Sequence, residues 1–392
     1  MKRLRLGVIG TGSVVREIYQ YLYFHSAYSH LLSVEGAADP NGQALAWFCG
    51  RFGIPAERRF DSYEEMIERL ELDAVHVNTP DSLHCAPTVH ALERDLDVLV
   101  SKPLADTAVD AHAMLTTARQ RGKLVAVDYH KRDDPRLVDV AARYRSGVYG
   151  QFQVAVWYML DKLMVADPNH EPRFFASDDF AVKNSPITFL TVHMADSFLQ
   201  TVGLRPVRIR ATGFSQKLPS LTPIPVQGLD LCDTEVVFEN GGVAHIVTGW
   251  HLPNTAHSIT VQSSRLICTD GLIDLAMDMC GYREITSEGI VERNSLFRNF
   301  ETDGRVSGYG MSYPGRLLEK IMSRRDGEMG TEEYEAMMSP FETGFYTTAV
   351  CDAAERSLEA GTRSKDNVIH GVDVDVAEVL KDELGDAAND YL

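Results

Sequence analysis

Short apolar runs recur along the first third of the chain, each closed by a polar turn and followed by a stretch with helical spacing. Residues 4 to 9, LRLGVI, read as a buried strand, and GTGSVV leads from it into a helix beginning near Ser13. A second strand over 32 to 38 ends at Asp39, and helices fit 41 to 52 and 62 to 71. The run Ala74-Val75-His76-Val77 is a strand ending at Asn78-Thr79-Pro80. Helix 84 to 94, strand 97 to 101, helix 106 to 121 and strand 123 to 128 continue the alternation. Strands alternating with helices predict parallel βαβ units with right-handed connections and a sheet covered on both faces, a doubly wound domain over 1 to 132.

Past residue 150 the rhythm becomes longer alternating runs, at 151 to 159, 205 to 215, 232 to 239, 243 to 251 and 257 to 268. Glu239-Asn240-Gly241-Gly242 reads as a type I′ hairpin, since Asn and Gly tolerate positive φ, and Thr269-Asp270-Gly271 as another turn. The second domain, 133 to 392, is therefore expected to be α+β with a mostly antiparallel open sheet, so that the whole is α/β plus α+β. Ser185-Pro186 and Ser339-Pro340 look like helix starts, with Gly203 and Gly361 as the matching stops. A helix near 340 to 360 is expected to return to the first domain. The stretches 160 to 184 and 280 to 336 are long for connections and are read as substrate loops or extra short elements.

A chain of 392 residues exceeds what one core usually organises, in keeping with two domains. Its 38 Lys and Arg against 56 Asp and Glu leave a formal charge of -18, which repels nucleic acid and anionic membrane surfaces. Acidic residues thicken from Asp366 to Asp390, a pattern read as a solvated face. Six cysteines, Cys49, Cys85, Cys232, Cys268, Cys280 and Cys351, lie apart without a CxxC pair, which points to a reducing, cytoplasmic setting. The opening apolar run is too short for a signal peptide, and no run is long enough to span a bilayer. His245, His251 and His257 are evenly spaced on candidate strands, and a metal reading would need them to converge with a carboxylate; no metal site is expected.

The Gly10-Thr11-Gly12-Ser13-Val14 turn carries the first chemistry. Gly10 permits a tight turn and Gly12 a close backbone approach to a pyrophosphate at the helix start, with Val15 in place of the third small residue. Asp39 is positioned to accept from ribose hydroxyls and to repel a 2′-phosphate, so NAD is expected over NADP. The alternative makes Asp39-Pro40 a plain helix entry.

Taken together, GTGSVV, AADP at 37 to 40, NTPDSLH at 78 to 84, SKPLADT at 101 to 107 and VDYHKRDDP at 127 to 135 resemble the Gfo/Idh/MocA family. That family is named for glucose-fructose oxidoreductase, inositol dehydrogenase and a rhizopine catabolism protein. The resemblance implies hydride transfer between a nicotinamide and a secondary hydroxyl of a sugar or cyclitol, in a homodimer or homotetramer. The family's Glu-Lys-Pro motif matches at Lys102 and Pro103, with Ser101 in place of Glu, which implies that Lys102 lies beside the nicotinamide and the reacting carbon, before a cis peptide bond. Burial and a nearby nicotinium charge would favour neutral Lys102 and let it take a hydroxyl proton.

The second family signature, an Asp-x-x-x-His helix with a trailing Asp, aligns with 187 to 196: His193 matches the His, Asp196 the trailing Asp, and Phe189 replaces the leading Asp. His193 is a candidate base with Asp196 to orient it, and which of Lys102 and His193 takes the proton stays open. Thr79, Pro80 and His84 are expected near the cofactor, and His130, with Tyr129 and Arg132, near the crevice; Trp157, Lys162, Arg173, Lys183 and Tyr309 are weaker candidates for a polyol pocket. Two rival readings remain, an oxidation and elimination on a glycoside with the cofactor recycled, and a non-catalytic dinucleotide sensor.

Overall fold

Leu4, Leu6, Val8 and Ile9 are each no more than 2% exposed, as a strand covered on both sides requires. In this computed structural model, which describes residues 2–175, 179–277, 281–287 and 289–392, they form β1 (Leu4–Ile9), the middle of a parallel sheet. Its partners are β2 (Leu32–Ala38), β3 (Arg59–Phe60), β4 (Ala74–Val77), β5 (Asp97–Ser101) and β6 (Val125–Asp128). The order is β3-β2-β1-β4-β5-β6, so chain direction reverses between β1 and β4, the switch point where open α/β sheets bind ligands. Helices Gly42–Phe52, Tyr63–Arg69 and Ala108–Arg121 begin where Asn41, Ser62 and Thr107 accept from backbone N–H groups. The doubly wound domain is thus present.

The chain divides into two compact units, Met1–Asp134 with Phe297–Phe345, and Pro135–Leu296 with Tyr346–Leu392. Residues 297–345, grouped by sequence with the second domain, therefore cluster with the first. They contain the helix Tyr309–Arg325, hidden from sequence reading by Gly310, Pro314 and Gly315. Both glycines serve packing: a Cβ at Gly310 would lie 2.5 Å from the Phe297 ring, and one at Gly315 would lie 2.2 Å from the Tyr28 ring. The helix expected near 340 to 360 is observed as Phe345–Glu359 and falls almost wholly in the second unit. Ser339 does cap a turn, accepting from Glu342 N at 3.2 Å, but Gly344 at φ +77° intervenes before the helix starts.

The second unit is built on a mixed, mostly antiparallel sheet containing β7 (Phe152–Lys162), β8 (Pro206–Phe214), β9 (Leu231–Phe238), β10 (Val243–Leu252), β11 (Thr260–Cys268) and β12 (Leu272–Ala276). β7 runs parallel to β10 and antiparallel to β11. Phe152, Ala155, Trp157 and Met159 turn inward while Val154 and Val156 are exposed, the alternation of a sheet with one covered face. The β9–β10 hairpin corrects the type I′ expectation. Only Gly241 has positive φ, and Gly241 N donates to Phe238 O at 2.8 Å, so a type I turn precedes a left-handed glycine. Gly203 ends its helix at φ +66°, as expected, whereas Gly361 has no positive φ and instead lets the backbone pass His370 O. The acidic C-terminal run includes an amphipathic helix, Val376–Leu384, that buries Val376 and Leu380.

Candidate cofactor and active site

The turn after β1 is organised by one carboxylate. Asp39, at the end of β2, accepts from Thr11 N at 2.7 Å and Thr11 Oγ1 at 2.9 Å on Oδ2, and from Asn41 N at 2.8 Å on Oδ1. Gly10 has φ +82° and lies so close to β4 that a Cβ would stand 2.7 Å from Asn78 O. A Cβ on Gly12, by contrast, would meet nothing within 4 Å. Ser13 is exposed and Val14 half-buried at the first helical turn, whose N–H groups have no partner four residues back. Helix start, open glycine and ribose-height carboxylate fit the adenosine diphosphate half of a dinucleotide. The helix continues through a π-helical stretch, Val15–Tyr19, into Gln20–Phe24.

On the other side of the switch point, the ends of β4, β5 and β6 share a buried polar network. Ser101 Oγ donates to Asn78 Oδ1 at 2.7 Å, and Asn78 Nδ2 donates to Tyr23 OH at 3.3 Å, which in turn meets His76 Nδ1 at 2.7 Å. Tyr19 OH donates to Asp128 Oδ2 at 2.8 Å, while Asp128 Oδ1 has no hydrogen-bond partner. Burial raises the Asp128 carboxyl from 3.8 to about 7, with Asp133 adding to the rise and the Tyr19 hydrogen bond opposing it. Burial lowers His76 to about 3, and His84 adds to that. Asp128, Asn78, Tyr19 and Tyr23 escaped sequence analysis; the signal for Asp128 was an acid ending an otherwise apolar strand.

Lys102 follows β5, half-buried, with a cis peptide to Pro103 as the resemblance implied. His84 departs from its expected role. It is fully buried, with Nδ1 2.8 Å from Pro103 O and Nε2 3.1 Å from Thr79 O, so it braces the Lys102–Pro103 turn against the end of β4 and has no surface for a cofactor. Thr79 and Pro80 stay accessible at that strand end. His130 keeps part of its ring open between Phe297 (5.1 Å) and Tyr309 (6.0 Å). Enclosure, with the ammoniums of Lys131 and Lys102 nearby, lowers His130 to about 3 and keeps it neutral. Tyr129 and Arg132 are structural. Tyr129 is buried under Gly344, and Arg132 donates to Tyr313 OH at 3.1 Å, to Phe341 O at 3.0 Å and to Glu342 O at 2.6 Å.

In the second unit, Ser185 Oγ accepts from Ile187 N at 3.0 Å and starts a π-helical stretch, Ile187–Thr191, that runs into the helix Val192–Val202. From Pro186 to Leu199 only Thr188, Phe189 and His193 keep appreciable exposure. His193 thus faces outward, as a base must. Asp196 does not: it is 1% exposed and accepts from Thr347 Oγ1 at 3.4 Å, which removes it from direct substrate contact. Trp157 is likewise core, 1% exposed against Phe198, not a stacking platform. Lys183 pairs with Asp179 at 2.7 Å, and burial lowers Lys162 from its usual value. His245 lies 3.4 Å from Asp233 and His257 3.4 Å from Glu292, and among the described residues no group of three ligands converges on a point. Cys49, Cys85, Cys232 and Cys268 are free thiols, and Cys280 lies outside the described residues. No described helix is long and apolar enough to cross a membrane.

Residues 4–129 match the model of the GFO_IDH_MocA family, described as an oxidoreductase family with an NAD-binding Rossmann fold. A D-glucoside 3-dehydrogenase of Escherichia coli is 25% identical over 265 residues, 65% of this chain and 73% of that one. An inositol 2-dehydrogenase of Rubrobacter xylanophilus is 29% identical over 150 residues, 38% of this chain and 42% of its own. The crystal structure of scyllo-inositol dehydrogenase from Lactobacillus casei, with NAD(H) and scyllo-inositol bound, superposes with a TM-score of 0.66. It is 17% identical and covers 96% of this chain and 100% of its own, a likeness of fold.

Proposed function

From the premise that residues 4–129 place this chain in the Gfo/Idh/MocA oxidoreductase family, we propose that it is an NAD-dependent dehydrogenase of a secondary hydroxyl on a sugar, cyclitol or sugar derivative. The observation that carries the reading is the open backbone at Gly12 beside the Asp39 carboxylate, a cradle for a dinucleotide at the switch point. The names of two relatives, a glucoside and an inositol dehydrogenase, support the substrate class.

Gly10, Thr11, Gly12, Ser13 and Val14 would hold the pyrophosphate through the helix start. After its three bonds to Thr11 and Asn41, Asp39 retains about one lone-pair site, on Oδ1, for a ribose hydroxyl, and its charge opposes a 2′-phosphate, which favours NAD over NADP. Thr79 and Pro80 border the nicotinamide half. When bound, the cofactor accepts or returns the hydride. Lys102 and His193 are the alternative candidates for the group that exchanges the hydroxyl proton; neutral His130 beside Lys102 offers a hydrogen bond without adding positive charge. The exposed Val154, Val156, Ile267 and Leu272 of the sheet's open face support self-association as a dimer or tetramer, and the free thiols support a cytoplasmic setting.

The test is NAD+ reduction at 340 nm against inositols, aldoses and glucosides, with NADH and NADPH binding measured in parallel. Wild-type turnover that is lost in Lys102→Ala, with NADH bound more tightly than NADPH, is the expected result. Cofactor binding without turnover on any substrate would sink the dehydrogenase reading in favour of a sensor or of a retained-cofactor elimination.

A further inference from the structure

The helix bearing His193 presents a narrow open stripe. Its flanking residues are shut away, with Ile187, Leu190, Thr191, Val192, Met194 and Ala195 all at 2% exposure or less. Phe189 and His193, four residues apart, therefore share the accessible face, so whatever presents a hydroxyl to His193 also meets the Phe189 ring. Phe189 stands where the family pattern has an acid. A phenyl ring offers no carboxylate acceptor for a hydroxyl and presents an apolar face in its place.

Phe189 does not stand alone. Phe175 and Phe180 stack with ring centroids 4.0 Å apart at 21°, and Phe189 sits edge-on to both, 5.8 Å from Phe175 at 89° and 5.2 Å from Phe180 at 86°. All three rings are only half-buried. A corner of orthogonal, part-exposed rings suits a further aromatic ring, which gains the offset-stacked or edge contacts that aromatic pairs prefer.

Resting on the dehydrogenase reading, we propose that the Phe175–Phe180–Phe189 corner is a subsite for an aromatic aglycone, and that the substrate class is aryl glycosides. The sugar carries the hydroxyl to His193 while the aglycone ring covers Phe189. A free cyclitol has no aglycone ring to place there.

Steady-state NAD+ reduction with glucose, methyl glucoside and phenyl glucoside, and calorimetric binding of the two glucosides to the protein with NADH present, test the proposal. Phenyl glucoside should exceed methyl glucoside by about tenfold or more in kcat/KM, chiefly through KM, and in affinity. Phe189→Asp should bring that ratio close to one, while Phe189→Leu should leave an intermediate ratio. Circular dichroism checks that both variants fold. Turnover with a phenyl-to-methyl ratio near one, or a ratio that Phe189→Asp leaves intact, overturns the subsite but not the dehydrogenase. Phe189-dependent binding of phenyl glucoside without turnover supports the subsite and overturns the dehydrogenase. Equal or absent binding of both glucosides, with no turnover, overturns both.

Discussion

Asp128→Asn should gain stability relative to the wild type as pH rises from about 5 to 8. The wild-type carboxyl is fully buried, has one oxygen bonded to Tyr19 OH and the other without a partner, and is raised from 3.8 to about 7. Such a group binds its proton more tightly folded than unfolded. Its favourable contribution is therefore complete below the unfolded value and is lost as pH rises through the folded one. The whole rise corresponds to on the order of 4 kcal/mol, of which roughly 2.5 kcal/mol falls between pH 5 and 8.

Asparagine keeps an acceptor for Tyr19 but does not titrate. Its amide donors replace the unpartnered oxygen and add a pH-independent offset of about 1–3 kcal/mol if they find no acceptor. The offset moves the curve without bending it. Equilibrium urea denaturation of both proteins from pH 5 to 8 should show the variant gaining on wild type by roughly 2.5 kcal/mol, with the steepest change between about pH 5 and 6 and a levelling as pH passes about 7. Taking the difference cancels the neutral histidines, which act with the opposite sign, and the charges of Asp133 and Arg132 that face Asp128. A stability difference that stays flat across this range would refute a buried, raised carboxyl at this position.

Arg132→Met removes a guanidinium whose side chain is 6% exposed and which joins Tyr313 OH to the carbonyls of Phe341 and Glu342; the loss should be about 3–5 kcal/mol, read as a lowered urea midpoint with little change in NADH affinity. His84→Leu unties the Lys102–Pro103 turn from Thr79, so kcat should fall at least about tenfold while NADH binding changes far less; equal losses in both would make His84 a cofactor ligand after all.

Periodicity carried most of the strands and helices, because the first unit buries its sheet on both faces and the second on one, and each arrangement leaves its own alternation. What periodicity cannot carry is which distant segments cluster. Nothing local in 297 to 345 says that it belongs with the Rossmann unit, and the glycines and proline of Tyr309–Arg325 look like breakers until the Phe297 and Tyr28 rings they accommodate are in view. The same limit governed the site. Gly10, Gly12 and Asp39 were legible because strand, turn and helix are contiguous. His84, Asp196 and Trp157, picked out by pattern, are buried, which the sequence does not show because burial depends on neighbours far along the chain.

Ser101 and Phe189, the two departures from the family pattern, differ in kind. Ser101 sits opposite Asp128 in the β5–β6 register, and both enter buried hydrogen bonds, Ser101 to Asn78 and Asp128 to Tyr19. The first unit therefore keeps a carboxyl at this end of the sheet, one strand away from the missing Glu, and the Lys102 turn remains braced by His84. Phe189 instead puts a phenyl ring at the position of the acid, edge-on to the rings of Phe175 and Phe180 and on the face it shares with His193. A chain that preserves polar support around its lysine and gives up polarity around its histidine is altered in what it binds more than in the reaction it runs, which makes Phe189 the position at which substrate choice should respond to mutation.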